Sequence, residues 1–123
     1  MSPADTVRRY GILDRFCGDK MRWEHFRDMP WDAYIYTNEG AFVGIAKIFS
    51  QAGNFGNKAI VEIPAEPTSF MYELGLLTHK KPAIIVKFRN KVAYLRLDHL
   101  NYRRTEGTKK PTYVIPIGEF RVV

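Results

Sequence analysis

Ile84, Ile85 and Val86 form an unbroken β-branched run inside Ala83 to Phe88. Side chains this stiff at χ1, and this apolar, read as a buried strand. A helical pattern lies just before it: Thr68 or Ser69 as cap, then Phe70, Met71, Leu74 and Leu77 at helical spacing to about His79. Before that helix comes a second apolar run, Phe42 to Phe49. Strand, helix, strand in this order is a crossover, so the sheet contains a parallel pair. Asn90 and Lys91 then turn the chain into Val92 to Leu97, an antiparallel hairpin partner, so the sheet is mixed.

The rest of the chain adds to this frame. Ser2 before Pro3, with Asp5 in the first turn, predicts a first helix with Val7, Tyr10, Ile12, Leu13, Phe16 and Cys17 along its stripe and Gly18 at its end. Met21 to Phe26 alternates as a short strand, and Arg27, Asp28 and Pro30 break it. Tyr34 to Tyr36 is a further strand, joined to Phe42–Phe49 through Asn38, Glu39 and Gly40. Lys58 to Ile63 forms a short extra strand and Thr112 to Ile117 a terminal one. Ser50 to Asn57 and Asn101 to Lys110 are polar loops, the first mobile or facing a substrate. The expected order is helix, three strands, helix, two strands, terminal strand, in one α/β domain spanning 1–123 with helices flanking a mixed central sheet.

Lys47 is the anomaly within this frame. Strict alternation puts it on one side of its strand with Val43, Ile45 and Phe49, where an ammonium needs a partner or a cavity. An edge strand with a snorkelling lysine is the alternative reading.

Composition bounds the function. The single cysteine, Cys17, has no ligand-spaced Cys or His neighbours, which excludes disulfide, zinc-finger and CxxC chemistry and fits a cytoplasmic setting. No apolar run reaches the length of a membrane helix, and no membrane partner is expected. Nineteen Lys plus Arg against thirteen Asp plus Glu give a net charge of +6, which favours a polyanionic partner. The glycines of the first loop lack the spacing of a phosphate-binding loop, and no serine and histidine stand at nucleophile spacing.

Pro30-Trp31-Asp32 at the mouth of one strand, Ile45-Ala46-Lys47 on the next and the order of elements resemble the PD-(D/E)XK nuclease superfamily, in its small phage and bacterial members. The PAIIVKF and VAYLRL hairpin and the VIPIGEF ending add to the likeness. The resemblance covers nearly the whole chain and implies a restriction-endonuclease-like core. It makes Asp32 a metal ligand and Lys47 the catalytic lysine that orients or activates the attacking water beside Mg2+. Ile45 stands where the family carries the second acid. The resemblance then implies a carboxylate supplied from elsewhere, Glu73 on the second helix or Glu62 just before it, with the carbonyl of Ala46 as a further ligand.

Three functions follow as expectations. The first is a nucleic-acid-binding protein on a degenerate, inactive nuclease fold, taking DNA in preference to RNA. Its phosphate contacts would come from Arg8, Arg9, Arg15, Lys58, Arg103, Arg104, Lys109 and Lys110, with Tyr34, Tyr36, Phe55 and Tyr102 as stacking platforms. The second is an active Mg2+-dependent nuclease with the relocated carboxylate. The third is a phage-type protein-interaction module or inhibitor of a host nucleic-acid enzyme, signalled by an exposed apolar patch. Under the degenerate-site reading, Ile45→Glu restores Mg2+-dependent cleavage.

Overall fold

The computed structural model describes residues 3–25, 28–106 and 110–123, with side chains from residue 8 onward. The expected cap Ser2, the strand end Phe26 and the break at Arg27 lie outside the described residues, as do the side chains of Asp5 and Val7.

The first helix, α1, spans Pro3–Cys17 and places Ile12, Leu13 and Cys17 in the core. It ends where expected. Gly18 adopts φ +58° and donates its N–H to the Asp14 carbonyl at 2.9 Å, the left-handed stop a glycine makes without strain. Strands β1 (Met21–Glu24), β2 (Ala33–Thr37) and β3 (Phe42–Ser50) follow as an antiparallel meander. After a single 3-10 turn at Phe55–Asn57 come β4 (Ile60–Pro64), helix α2 (Ala65–Thr78), β5 (Ala83–Lys87) and β6 (Val92–Arg96). The chain closes with β7 (Arg103–Arg104), β8 (Thr112–Pro116) and β9 (Arg121–Val122).

The crossover is as the sequence predicts: β3 and β5 are parallel, Lys47 opposite Ile84, and β6 is antiparallel to β5. The main sheet runs β1-β2-β3-β5-β6-β9. A second sheet, β4-β8-β7, takes the extra strand and the terminal strand, which the sequence reading had assigned to a single central sheet. The physical reason is alternation. Val61, Ile63, Tyr113 and Ile115 turn one apolar face onto the main sheet, while Ile60, Glu62, Pro64 and Pro116 face outward. Arg103 and Arg104, expected in a loop, form the short β7 against β8.

The main sheet is covered on both faces. Ile12, Leu13 and Cys17 of α1 pack on Ala33, Ile35, Ala46, Ile48 and Ile85. On the other face, Met71 of α2 and the small sheet pack on Ile45, Ile84, Val86, Ala93 and Leu95.

Two local expectations change. Helix α2 begins at Ala65, earlier than a Thr68 or Ser69 cap would place it, because Pro67 sits in the first turn, where a helix tolerates proline. Thr68 is fully buried, and Ser69 shares a 2.8 Å hydrogen bond with the Tyr113 hydroxyl. Along β3 the alternation breaks, since Ile35 pairs with Gly44 but Tyr36 with Phe42. This bulge sends Val43 to the α1 face, apart from Ile45 and Phe49. Gly44 there meets the segment leading into β5 so closely that a Cβ would stand 2.9 Å from the Lys81 carbonyl oxygen.

Candidate nucleic-acid interface

Asp32 ends the irregular segment before β2. Its own N–H bonds to the Ala46 carbonyl at 2.9 Å. One carboxylate oxygen, Oδ2, accepts the backbone N–H of Ile48 at 2.7 Å, and the other, Oδ1, accepts from Arg9 of α1 at 3.1 Å. Arg9 also donates to the Ile48 carbonyl at 3.4 Å, and His25 Nδ1 lies 3.0 Å from the Asp32 carbonyl. The carboxylate therefore fastens β2's entry and α1 to the last turn of β3. Its side chain is 17% exposed, so this pair is partly shielded from water.

Lys47 is turned elsewhere. Ala46 and Ile48 face α1, so Lys47 shares the opposite face with Ile45 and Phe49, and its Nζ lies 5.5 Å from the Phe49 ring centroid. Among the described residues it forms no ion pair with Asp32. Ile45, in the place of the second acid, is 5% exposed and belongs to the core around Trp31. Glu62 points outward from β4, because Val61 and Ile63 on either side of it are fully buried. Glu73 lies on the exposed face of α2, beside a cavity of about 700 Å³ that it shares with Glu66, Arg104 and Lys110. Among the described residues, no three carboxylate, histidine or cysteine groups come together as a cation site, so Asp32, Glu62 and Glu73 do not form one.

The basic residues divide into two groups. Arg8 and Arg9 of α1 meet Lys87 and Arg89 from the carboxyl end of β5 around a cleft of about 610 Å³. Its floor includes Ser50 and Gln51 from the carboxyl end of β3, then Gly53 of the polar loop. Lys58 extends over Gly53, its Cε 3.4 Å and its Nζ 3.9 Å from where a Cβ would stand. The loop is pinned. Gln51 N–H bonds to the Lys87 carbonyl, Arg89 N–H to the Gly53 carbonyl, both at 2.9 Å, and Phe55 N–H to Asn90 Oδ1. Among the described residues, Arg9 is the only one of these four cleft cations with a carboxylate partner. Lys87 Nζ folds back onto the Phe88 carbonyl.

Arg104 and Lys110 belong to the second cavity, where Arg104 pairs with Glu106 at 3.0 Å and shares the lining with two glutamates. Arg103 is exposed on β7, Arg15 is exposed on α1 outside the cleft, and Lys109 lies outside the described residues. The four aromatic candidates have intramolecular neighbours: Tyr34 against Trp31, Tyr36 against Phe42, Phe55 against Phe88 and Tyr102 against His99. None of the four lines the arginine cleft.

Sequence reasoning thus anticipates Arg8, Arg9 and the facing loop and misses Lys87 and Arg89. The signal was present. Once Ala83–Lys87 is a parallel partner of β3, its carboxyl end is where such sheets receive ligands, and two basic residues stand there.

No family model matches the chain, and no curated protein matches it in sequence. Among solved structures, D212, a nuclease from a fusselovirus, is similar over 97% of this chain and 77% of that one, with a TM-score of 0.53 and 13% identity. At that identity the likeness is one of architecture. Among the described residues the chain has a mixed α/β fold with two α-helices and a multistranded sheet, similar in architecture to that nuclease. Among the described residues, no helix is long and apolar enough to cross a membrane.

Proposed function

We propose that this protein binds nucleic acid, DNA in preference to RNA, on a degenerate PD-(D/E)XK nuclease fold that has lost cutting. The observation that carries the proposal is the meeting of Arg8, Arg9, Lys87 and Arg89 around one cleft at the carboxyl ends of the two parallel strands. Guanidinium and ammonium groups converging across such a cleft suit consecutive phosphates of a backbone. Gln51 and the Ser50 hydroxyl add neutral donors to the same surface. The strand order, with an antiparallel meander followed by a parallel crossover partner, supports the restriction-endonuclease-like reading.

The donor set does not fit magnesium as arranged. Both Asp32 oxygens are engaged by protein donors, Ile45 has no ligand atom, and Lys47 faces away from the carboxylate. A hard cation of this kind needs several oxygen ligands in near-octahedral order. We therefore assign Asp32 and Arg9 to holding the cleft wall, and we derive no step through a metal.

The test is fluorescence anisotropy with labelled single- and double-stranded DNA and RNA, in EDTA and then in Mg2+, with substrate integrity read on a gel. The expected result is salt-sensitive binding that EDTA leaves unchanged, tightest for DNA, with the nucleic acid intact in Mg2+. Mg2+-dependent cutting lost in Asp32→Ala and Lys47→Ala would overturn the degenerate reading in favour of an active nuclease. Absence of binding would overturn the whole proposal.

A further inference from the structure

Strands β1, β3 and β5 run the same way, because β1 and β3 are each antiparallel to β2 and β5 is parallel to β3. Their carboxyl ends therefore share one end of the main sheet with the amino end of β2. The arginine cleft occupies the β3 and β5 side of that end. The β1 side carries aromatic rings. Tyr10 of α1, 36% exposed, lies against Trp23 with centroids 5.0 Å apart and planes at 35°. The ring of His25, an exposed residue directly after β1, is 6.1 Å from the Tyr10 ring.

Cleft and rings are anchored on one residue. Asp32 accepts from Arg9 through its carboxylate at 3.1 Å and from His25 Nδ1–H through its carbonyl at 3.0 Å. Trp23 Nε1–H donates to Asp14 Oδ1 at 2.8 Å, which fixes the indole beside Tyr10. The rings are thus held in place before a ligand arrives. The Asp14 carboxylate, with Glu24 next to His25 in the chain, disfavours a phosphate on this side and leaves the ring faces as what it offers. A base face can reach such rings in a single strand, whereas a duplex keeps its bases stacked on one another.

We infer that the protein takes single-stranded nucleic acid across this end of the sheet, its backbone on Arg8, Lys87 and Arg89 and a base stacked on the Tyr10 and His25 rings. The inference rests on the nucleic-acid reading of the cleft and adds the strandedness of the ligand and the residues that stack on it. Arg9 stays with Asp32 and joins the two sides.

Anisotropy titrations of the full chain with labelled oligothymidylate and with a duplex of the same length, each over a range of salt, test it. The expected result is tighter binding of the single strand. Tyr10→Leu, which keeps an apolar contact for Trp23 but removes the ring, weakens single-strand binding about fivefold or more, retains the parent's salt slope and lowers the ratio of single-strand to duplex affinity. Tyr10→Phe keeps the ring and binds like the parent. His25→Ala, at an exposed position, weakens single-strand binding in the same sense and serves if Tyr10→Leu does not fold. Salt-sensitive single-strand binding that both Tyr10→Leu and His25→Ala leave intact, or duplex bound as tightly as the single strand, overturns this inference while the cleft reading stands. No binding of either probe overturns both.

Discussion

Replacing Asp32 by alanine separates its two possible roles. In the structure its carboxylate is a clamp, so removing it leaves the Ile48 N–H without a partner at a residue 3% exposed. An orphaned buried donor costs about 1–3 kcal/mol. The Arg9 pair, with side chains 33% and 17% exposed, adds about 0.5–1 kcal/mol after solvent screening. The sum is roughly 1.5–4 kcal/mol. For 123 residues, at about 2.1 cal/mol/K of unfolding entropy per residue, that lowers the thermal midpoint by about 6–15 °C. Asp32→Asn keeps an acceptor for Ile48 and loses the charge, so it falls by about a third of that. Circular dichroism melts and urea titrations of the three proteins measure this directly. A carboxylate waiting for a metal behaves otherwise, because its removal in EDTA leaves stability unchanged or improved. An Asp32→Ala protein within about 0.5 kcal/mol of the parent would refute the clamp.

Three further outcomes follow from the same packing. Ile45→Glu, which the family motif alone predicts to restore cutting, instead buries a carboxylate in the Trp31 core, and the expected result is loss of folded protein in a melt. Gly44→Ala drives a Cβ to 2.9 Å from the Lys81 carbonyl oxygen and lowers stability in urea by about 1–3 kcal/mol. Burial, then the charge of Asp14, pushes the Cys17 thiol from 9.0 up to about 11. The unfolded thiol loses its proton first, so this contribution is full below pH 9 and declines as pH rises to about 11. Cys17→Ala flattens that part of the stability-against-pH curve, and a slope unchanged by the substitution would contradict it.

The sequence reads well where periodicity is strong. The crossover from Phe42–Phe49 through α2 to Ala83–Phe88, the Gly18 stop and the β5–β6 hairpin were all legible, because each depends on local pattern and turn chemistry. The second sheet was not. Ile60–Pro64 and Thr112–Pro116 are far apart in the chain, and their pairing is decided by which apolar faces remain to cover the core. The bulge at Val43 was hidden for a similar reason: nothing in FVGIAKIF marks the extra residue except Gly44, whose need arises from Lys81 on a later segment. Site legibility follows the same division. Asp32 and Lys47 are adjacent in motif but turn to opposite sides of the sheet, a fact that depends on where Arg9 and Ile48 stand. Lys87 and Arg89 gain their meaning from a helix some eighty residues earlier in the chain, whose Arg8 and Arg9 close the cleft.

The cleft itself is tested most directly by the salt dependence of duplex DNA binding for the parent chain and for Arg8→Ala/Lys87→Ala/Arg89→Ala. Three phosphate contacts, from the cleft cations that lack a carboxylate partner, correspond to a log–log slope of about −2.7, and losing all three brings it close to zero. Binding that weakens in the triple variant with this loss of slope is the predicted result. An unchanged slope, with the variant folded, would place the nucleic-acid surface elsewhere and contradict the account.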